Sequence, residues 1–166
     1  MLGFYNVPMP TLTRDYAAIA SSLSSAGSRE QRMTAVVDAL WEAFHNAAYS
    51  WVGFYLDRPD APDDQRLILG PRRDKPACSP IGLHGACGRA MLTKQTLIVR
   101  DVKDLGENYI ACDPRDRSEI VIPLIDERGT CWGVLDIDSH EVGAFDERDE
   151  AGLRLVLAHA GLIRAK

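Results

Sequence analysis

Residues 119–137 read EIVIPLIDERGTCWGVLDI, and this stretch decides the fold. Two runs rich in aliphatic and β-branched residues, Glu119 to Ile125 and Cys131 to Ile137, flank a polar segment. Asp126-Glu-Arg-Gly129 supplies the acidic residues and the glycine that favour a tight reversal of the chain. The stretch therefore predicts two antiparallel strands, joined as a hairpin.

The sequence on either side of this hairpin alternates between strand and helix patterns. Three further strands are predicted: Trp51 to Leu56, Leu67 to Leu69 and Thr96 to Val99. Helices are predicted at Leu12 to Leu23, after a capping box at Ser28 to Gln31, at Ala86 to Leu92, and after Asp146 as N-cap. Asp101 to Ser118 shows no clear periodicity, and a loop of this length in a compact domain is usually functional or disordered. The pattern indicates an α+β domain with a mostly antiparallel sheet.

The composition indicates one domain and excludes some classes of partner. The chain has 166 residues, 46% of them hydrophobic, which is enough for a single core. A net charge of −5 argues against binding of nucleic acid or anionic lipid, because both require clusters of Lys and Arg. Met1 to Pro10 lacks the features of a signal peptide, and no segment is long enough to span a membrane. We therefore expect a cytoplasmic protein, with reduced cysteines and no structural disulfide framework.

Four cysteines are the first candidates for chemistry. They show neither a CxxC motif nor the Cys/His spacing of a structural zinc site, so we expect no metal. Cys131 lies in a predicted strand, on the face it would share with Leu135 and Ile137, and is interpreted as a core residue. Cys78, Cys87 and Cys112 lie in loops or at a loop-to-helix junction, where a thiol can meet a ligand, and they are the candidates for function.

Acidic and aromatic residues also share strand faces. Asp136 and Asp138 are two residues apart in one predicted strand and therefore share a face, and Glu119 begins the neighbouring strand. The three acids can converge on a cation such as an ammonium group, or they can be solvated at the sheet edge. Trp51 and Tyr55 share a face across Gly53, whose missing side chain leaves a gap between two rings. That gap suits a small methylthio group, although ordinary core packing would give the same pattern.

The motifs that carry these residues resemble one family, the free methionine-R-sulfoxide reductases, which are GAF-domain enzymes. The resemblance extends from about Tyr16 to Leu162. The motifs, in order, are Trp51-Val-Gly-Phe-Tyr55, Leu67-Ile-Leu-Gly-Pro71, Lys75-Pro-Ala-Cys78, Ala86-Cys87-Gly88, Ile110-Ala-Cys-Asp113, Ser118-Glu-Ile-Val121 and Gly133-Val-Leu-Asp-Ile-Asp-Ser139.

The resemblance implies a GAF fold: a six-stranded antiparallel sheet with helices on one face and the ligand pocket on the other. We expect a single domain over residues 1–166, with its core at about 12–163. By the resemblance, Cys112 is the nucleophile, Cys78 the resolving thiol and Cys87 an auxiliary or alternative thiol. The resemblance also gives the acids and the aromatic residues their roles: ammonium binding and sulfoxide protonation for Glu119, Asp136 and Asp138, and substrate walls for Trp51 and Tyr55.

The resemblance further implies a homodimer that is re-reduced by thioredoxin or a similar dithiol and needs no metal or organic cofactor. Two departures from the family pattern stand out. The segment Ile81 to Cys87 is one residue shorter, and Tyr109 lies where the family has a histidine before Ile-Ala-Cys-Asp. The rival interpretations are a GAF module that binds a small ligand without catalysis and a redox sensor that uses Cys78 and Cys112 without turnover, because a fold alone does not settle function.

Overall fold

The computed structural model describes residues 13–74, 77–109 and 112–165. In chain order the elements are α1 (Tyr16–Ser22), α2 (Arg29–Phe44), β1 (Trp51–Asp57), β2 (Leu67–Arg73), α3 (Ala86–Thr93), β3 (Leu97–Val99), β4 (Ser118–Ile125), β5 (Cys131–Ser139) and α4 (Glu147–His159). Short 3-10 helices occupy Asp63–Gln65 and Val102–Asn108. Some sequence expectations fall on Met1 to Leu12, Lys75, Pro76, Ile110 and Ala111, which lie outside the described residues.

The strands form one antiparallel sheet in the order β2-β1-β5-β4-β3. The α+β class and all five strands indicated by the sequence patterns are confirmed. The six-stranded sheet implied by the family resemblance is not: the part of the chain that the structure describes contributes five strands. The hairpin that decides the fold places β4 and β5 side by side, so β5 lies at the centre of the sheet, between β1 and β4.

The two faces of the sheet carry different apolar clusters. On one face α1, α2 and α4 cover a large core that includes Leu40, Phe54 and Leu157, all nearly inaccessible to solvent. On the other face α3 joins a smaller cluster, in which Met91 and Val121 lie together. The expectation of helices on one face and a pocket on the other is therefore correct except for α3, which lies on the pocket face.

The helix starts follow the capping signals in the sequence. Ser28 accepts a hydrogen bond from the backbone of Gln31, whose side chain accepts one from the backbone of Ser28, as predicted for α2. Asp146 caps α4 as predicted, and Asp149 completes a second capping box. α1 begins later than predicted, after Asp15 as N-cap. No helix among the described residues is long and apolar enough to cross a membrane.

A β-bulge in β5 changes which face the start of that strand presents. Pro123 pairs with Val134 and Ile125 pairs with Cys131, so two steps along β4 face three steps along β5. The extra residue reverses the alternation, and Trp132 consequently packs against the helix-covered core.

Because of the bulge, Cys131 lies on the opposite face of the sheet from the one predicted. Cys131 is buried, as expected for a core residue, but it belongs to the pocket-side cluster. Leu135 and Ile137, with which it was predicted to share a face, pack in the helix-covered core. The prediction was wrong because strict alternation does not hold through a bulge.

Candidate active site

Two of the candidate cysteines are joined in the structure. Cys78 and Cys112 form a disulfide between residues 34 apart in sequence, with their Cα atoms 5.6 Å apart. Cys78 follows β2, on the segment that returns to pair Ile81 with Leu67. Cys112 lies shortly before β4, and both cysteines are partly buried. The pairing that the family resemblance implied is therefore present.

A pocket opens beside this disulfide on the face that α3 shares. Its walls are formed by the sheet, by the start of α3 and by the loop before β4. The lining residues are Trp51, Tyr55, Ala77, Ile81, Ala86, Cys87, Tyr109, Cys112, Asp116, Glu119, Asp136 and Asp138. Every predicted site residue except Cys78 thus lines one pocket, and Cys78 is joined to it through the disulfide.

The sheet register brings the three predicted acids together. Glu119 lies directly opposite Asp138, and Asp136 follows two residues away on the same face of β5. Oxygen atoms of all three carboxyl groups lie within 4.8 Å of one another. Glu119 and Asp136 are each 6% exposed, and each has one oxygen, Oε1 and Oδ1 respectively, without a hydrogen-bond partner. Glu119 and Asp136 are therefore not solvated strand ends, because each has a buried oxygen that no donor reaches.

Burial and mutual repulsion shift the ionisation of this group of acids. Burial, and then the neighbouring carboxylates, raise the pKa of Glu119 and of Asp138 well above their ordinary values. Burial also raises the pKa of Asp136 to about 7. Three carboxylates at this separation repel one another, so burial and repulsion together favour protonation within this group near neutral pH.

Carboxylate oxygens are also the ligands that hard divalent cations prefer, and one oxygen from each of these three acids lies within 4.8 Å of the others. Asp113, Asp116 and His140 form a second group of this kind. The sequence predicts no metal, and this stays a prediction.

The aromatic wall differs in one respect from the sequence interpretation. Trp51 and Tyr55 stack with their ring centres 5.9 Å apart. A Cβ atom at Gly53 would lie 2.3 Å from Cη2 of Trp51, so the indole ring itself lies over the glycine. The predicted gap between the two rings is therefore filled, and Gly53 serves to let the Trp51 ring lie flat on the strand.

Cys87 occupies a different environment from the disulfide pair. It is a buried free thiol in the first turn of α3, and its Sγ donates to Oδ2 of Asp136 at 3.4 Å. Burial, followed by the charge of Asp136, raises the pKa of this thiol well above its usual value. A neutral thiol is a poor nucleophile, so the setting favours Cys87 as a hydrogen-bond donor.

The sequence interpretation missed a cluster beneath the turn that follows Cys112. Nε2 of His140 lies 3.6 Å from Asp113 and 3.7 Å from Asp116, and the hydroxyl of Ser50 donates to Asp116 at 3.0 Å. Burial raises the pKa of Asp116 to about 6. The partners come from three separate parts of the chain, and the only signal in the sequence was that His140 follows the strand bearing Asp136 and Asp138.

The comparisons with known proteins agree with this geometry. The sequence model of the GAF domain matches residues 26–164. A free methionine-R-sulfoxide reductase of Saccharomyces cerevisiae is 41% identical over 114 residues, which cover 67% of this chain and 62% of that protein. One of Escherichia coli is 42% identical over 111 residues, which cover 66% of this chain and 62% of that protein. The chain belongs to the GAF domain family.

Within that family, the resemblance to free methionine-R-sulfoxide reductases is confirmed by these relatives and by solved structures. The X-ray structure of the free methionine-R-sulfoxide reductase of Neisseria meningitidis in complex with its substrate has a TM-score of 0.73 and 32% identity. It matches 98% of this chain and 96% of its own. The chain spans slightly less than two thirds of the length of the yeast and E. coli relatives.

Proposed function

We propose that this chain reduces free methionine-R-sulfoxide to methionine, with Cys112 as the attacking thiol and Cys78 as the resolving thiol. One observation carries the proposal: the disulfide between Cys78 and Cys112 lies at the edge of a buried pocket of acids. A free amino acid supplies the ammonium group that these acids lack, and the Trp51 and Tyr55 rings provide an apolar surface for the methyl group and the sulfur.

The reaction divides into two balanced steps. The sulfur of Cys112 attacks the sulfoxide sulfur, and the oxygen is transferred, so that methionine leaves and Cys112 carries a sulfenic acid. The substrate gains two electrons, and Cys112 loses them. Cys78 then displaces the hydroxyl group from Cys112, which forms the disulfide and releases water.

The acids assist the first step in two ways. Ionised acids hold the ammonium group by charge-assisted hydrogen bonds, and a protonated acid donates to the sulfoxide oxygen as it becomes more basic. Asp136, with a pKa of about 7, can serve in either form near neutral pH. We assign ammonium binding and protonation jointly to Glu119, Asp136 and Asp138, and we assign Cys87 an auxiliary role through its bond to Asp136.

The rest of the proposal concerns recycling and context, and the family resemblance supports it. Thioredoxin or a similar dithiol reduces the Cys78–Cys112 disulfide, and no metal or organic cofactor enters the cycle. We further propose a homodimer in the cytoplasm, where the disulfide is exposed to a reducing thiol pool.

Turnover is the direct test. Purified protein is incubated with free methionine-R-sulfoxide and a dithiol, and methionine is quantified by chromatography. Many molecules of methionine per protein molecule are expected. Oxidation of the thiols by peroxide without catalytic methionine release would indicate a redox sensor instead, and binding of methionine sulfoxide without either reaction would indicate a non-catalytic GAF module.

A further inference from the structure

Tyr55 makes a contact that its place in the pocket wall does not require. Its side chain is 3% exposed, and its hydroxyl donates to the backbone carbonyl of Cys78 at 2.8 Å. The ring thus belongs to the wall, while the hydroxyl is bonded to one half of the disulfide. Burial raises the pKa of this hydroxyl, so it remains a donor across the neutral range.

Hydrogen bonds also attach the described residues around Cys78 to the edge of the sheet. Residues 77–81 run along the edge of β2, where the backbones of Leu67 and Ile81 exchange two hydrogen bonds. The backbone of Leu69 donates to the hydroxyl of Ser79 at 3.1 Å. Both contacts join the segment to the edge strand, whereas Tyr55 lies on β1, next to the strand that carries the acids. Beside the Cys78–Cys112 disulfide, the Tyr55 bond therefore joins the backbone of Cys78 to β1 on the pocket side of the sheet.

We propose that Tyr55 is a positioning residue for the resolving thiol: its hydroxyl holds the backbone of Cys78 so that Sγ of Cys78 reaches the sulfenic acid of Cys112. This inference rests on the proposed function and extends it to the second step of the cycle. Sulfenic acid and thiol condense within one molecule, so the rate depends on how often the two sulfur atoms meet. A hydrogen bond that orders the Cys78 segment beforehand removes part of the entropic cost of that meeting.

The atoms of this step balance without Tyr55 being consumed. The S–O bond of the Cys112 sulfenic acid breaks, the S–S bond forms, and the hydroxyl group leaves as water with the thiol proton of Cys78. No external oxidant or reductant is required. Tyr55 takes no part in the bond changes, because its hydroxyl donates to the carbonyl oxygen of Cys78.

Substitution of Tyr55 with phenylalanine separates the two roles of the side chain. Tyr55→Phe keeps the ring that stacks on Trp51 and removes only the hydroxyl. In a single turnover without reductant, methionine release and disulfide formation are timed separately, and the loss of the hydroxyl should slow disulfide formation more than methionine release. Disulfide formation, followed by mass spectrometry, should slow roughly 2- to 12-fold, the net worth of one hydrogen bond. Dimedone should trap correspondingly more sulfenic acid at Cys112.

Two further variants show whether the effect is specific. Tyr49→Phe removes a buried hydroxyl that bonds to Tyr16 on the helix-covered side of the sheet, and it should leave both steps unchanged. Ser79→Ala removes the hydroxyl that accepts from Leu69 in the same segment as Cys78, and it should slow disulfide formation in the same direction as Tyr55→Phe.

An equilibrium measurement tests the inference without the substrate. The Cys78–Cys112 disulfide is equilibrated against mixtures of reduced and oxidised dithiothreitol, and Tyr55→Phe should lower the equilibrium constant for its formation by a similar factor. The inference would be overturned if Tyr55→Phe had the wild-type equilibrium constant and also formed the disulfide at the wild-type rate. It would also be overturned if Tyr55→Phe slowed the release of methionine and left the equilibrium constant unchanged. Wild-type protein that releases no methionine would contradict the proposed function, and the dithiothreitol equilibrium would still decide the role of Tyr55.

Discussion

Replacing Asp136 with asparagine is expected to stabilise the folded protein near neutral pH, although it removes a residue from the candidate site. Asp136 is buried, one of its oxygens has no hydrogen-bond partner, and burial raises its pKa from 3.8 to about 7. Folding thus requires this side chain to give up a charge that water would stabilise. Asparagine has nearly the same shape and carries no charge.

The sign and size follow from the two pKa values. The folded state binds the proton of Asp136 more tightly than the unfolded state, so stability is highest below about pH 4 and falls as the pH rises to about 7. At 1.36 kcal/mol per pKa unit, a rise from 3.8 to about 7 corresponds to a loss of up to about 4 kcal/mol across that window. Asp136→Asn removes this dependence. After burial, the charge of Asp136 is the next largest cause of the raised pKa of Glu119 and Asp138, and Asp136→Asn removes that charge as well.

Urea unfolding at about pH 5 and at about pH 7.5, with the disulfide kept intact, measures the effect. The wild type should lose stability between the two conditions, and Asp136→Asn should lose less and exceed the wild type at the higher pH. The exposed Asp60 provides a matched control, because Asp60→Asn should change stability by less than about 0.5 kcal/mol at either pH. An Asp136→Asn variant that is less stable at about pH 7.5, with the wild-type pH dependence, would refute the reasoning.

The remaining predictions concern the proposed reaction. Cys112→Ser should release no methionine even in a single turnover, whereas Cys78→Ser should release about one equivalent and then stop as a sulfenic acid, as chromatography and mass spectrometry can show. A methionine burst from Cys112→Ser would transfer the attacking role to Cys87. Glu119→Gln should weaken substrate binding by roughly 1.5–3 kcal/mol, measured as a rise in KM, and an unchanged KM would remove it from the ammonium site. Turnover should favour the free R epimer over an N-acetylated or peptide substrate, and equal rates would refute recognition of the ammonium group.

The sequence predicted those features that depend on local pattern. The helix caps at Ser28 and Asp146 were identified because a cap needs only residues three or four positions apart. The meeting of Glu119 with Asp136 and Asp138 was predictable because strand alternation and one hairpin determine it. The disulfide followed from the family resemblance, since neither spacing nor alternation selects a pair among four cysteines.

Features that depend on tertiary packing could not be predicted from the local sequence pattern. The bulge that turns Cys131 to the pocket face arises from an extra residue whose position no turn signal marks. The Trp51 ring fills the space over Gly53. From the sequence, the missing side chain of Gly53 predicted an empty gap at this place. The bond from Tyr55 to Cys78 joins a strand to a segment 23 residues away, and its partner is a backbone carbonyl, which any residue type would provide.

The 34-residue separation of Cys78 and Cys112 links the redox state of the pair to local stability. The segment between them contains α3 and β3, so the disulfide closes a loop around the whole pocket-side excursion of the chain. Closing a loop of this length in the unfolded chain is worth between about 3 and about 5 kcal/mol in the loop-entropy account. Reduction of the disulfide would therefore lower the stability of the segment that contains α3 and β3, and amide hydrogen exchange there would report the state of the two sulfur atoms.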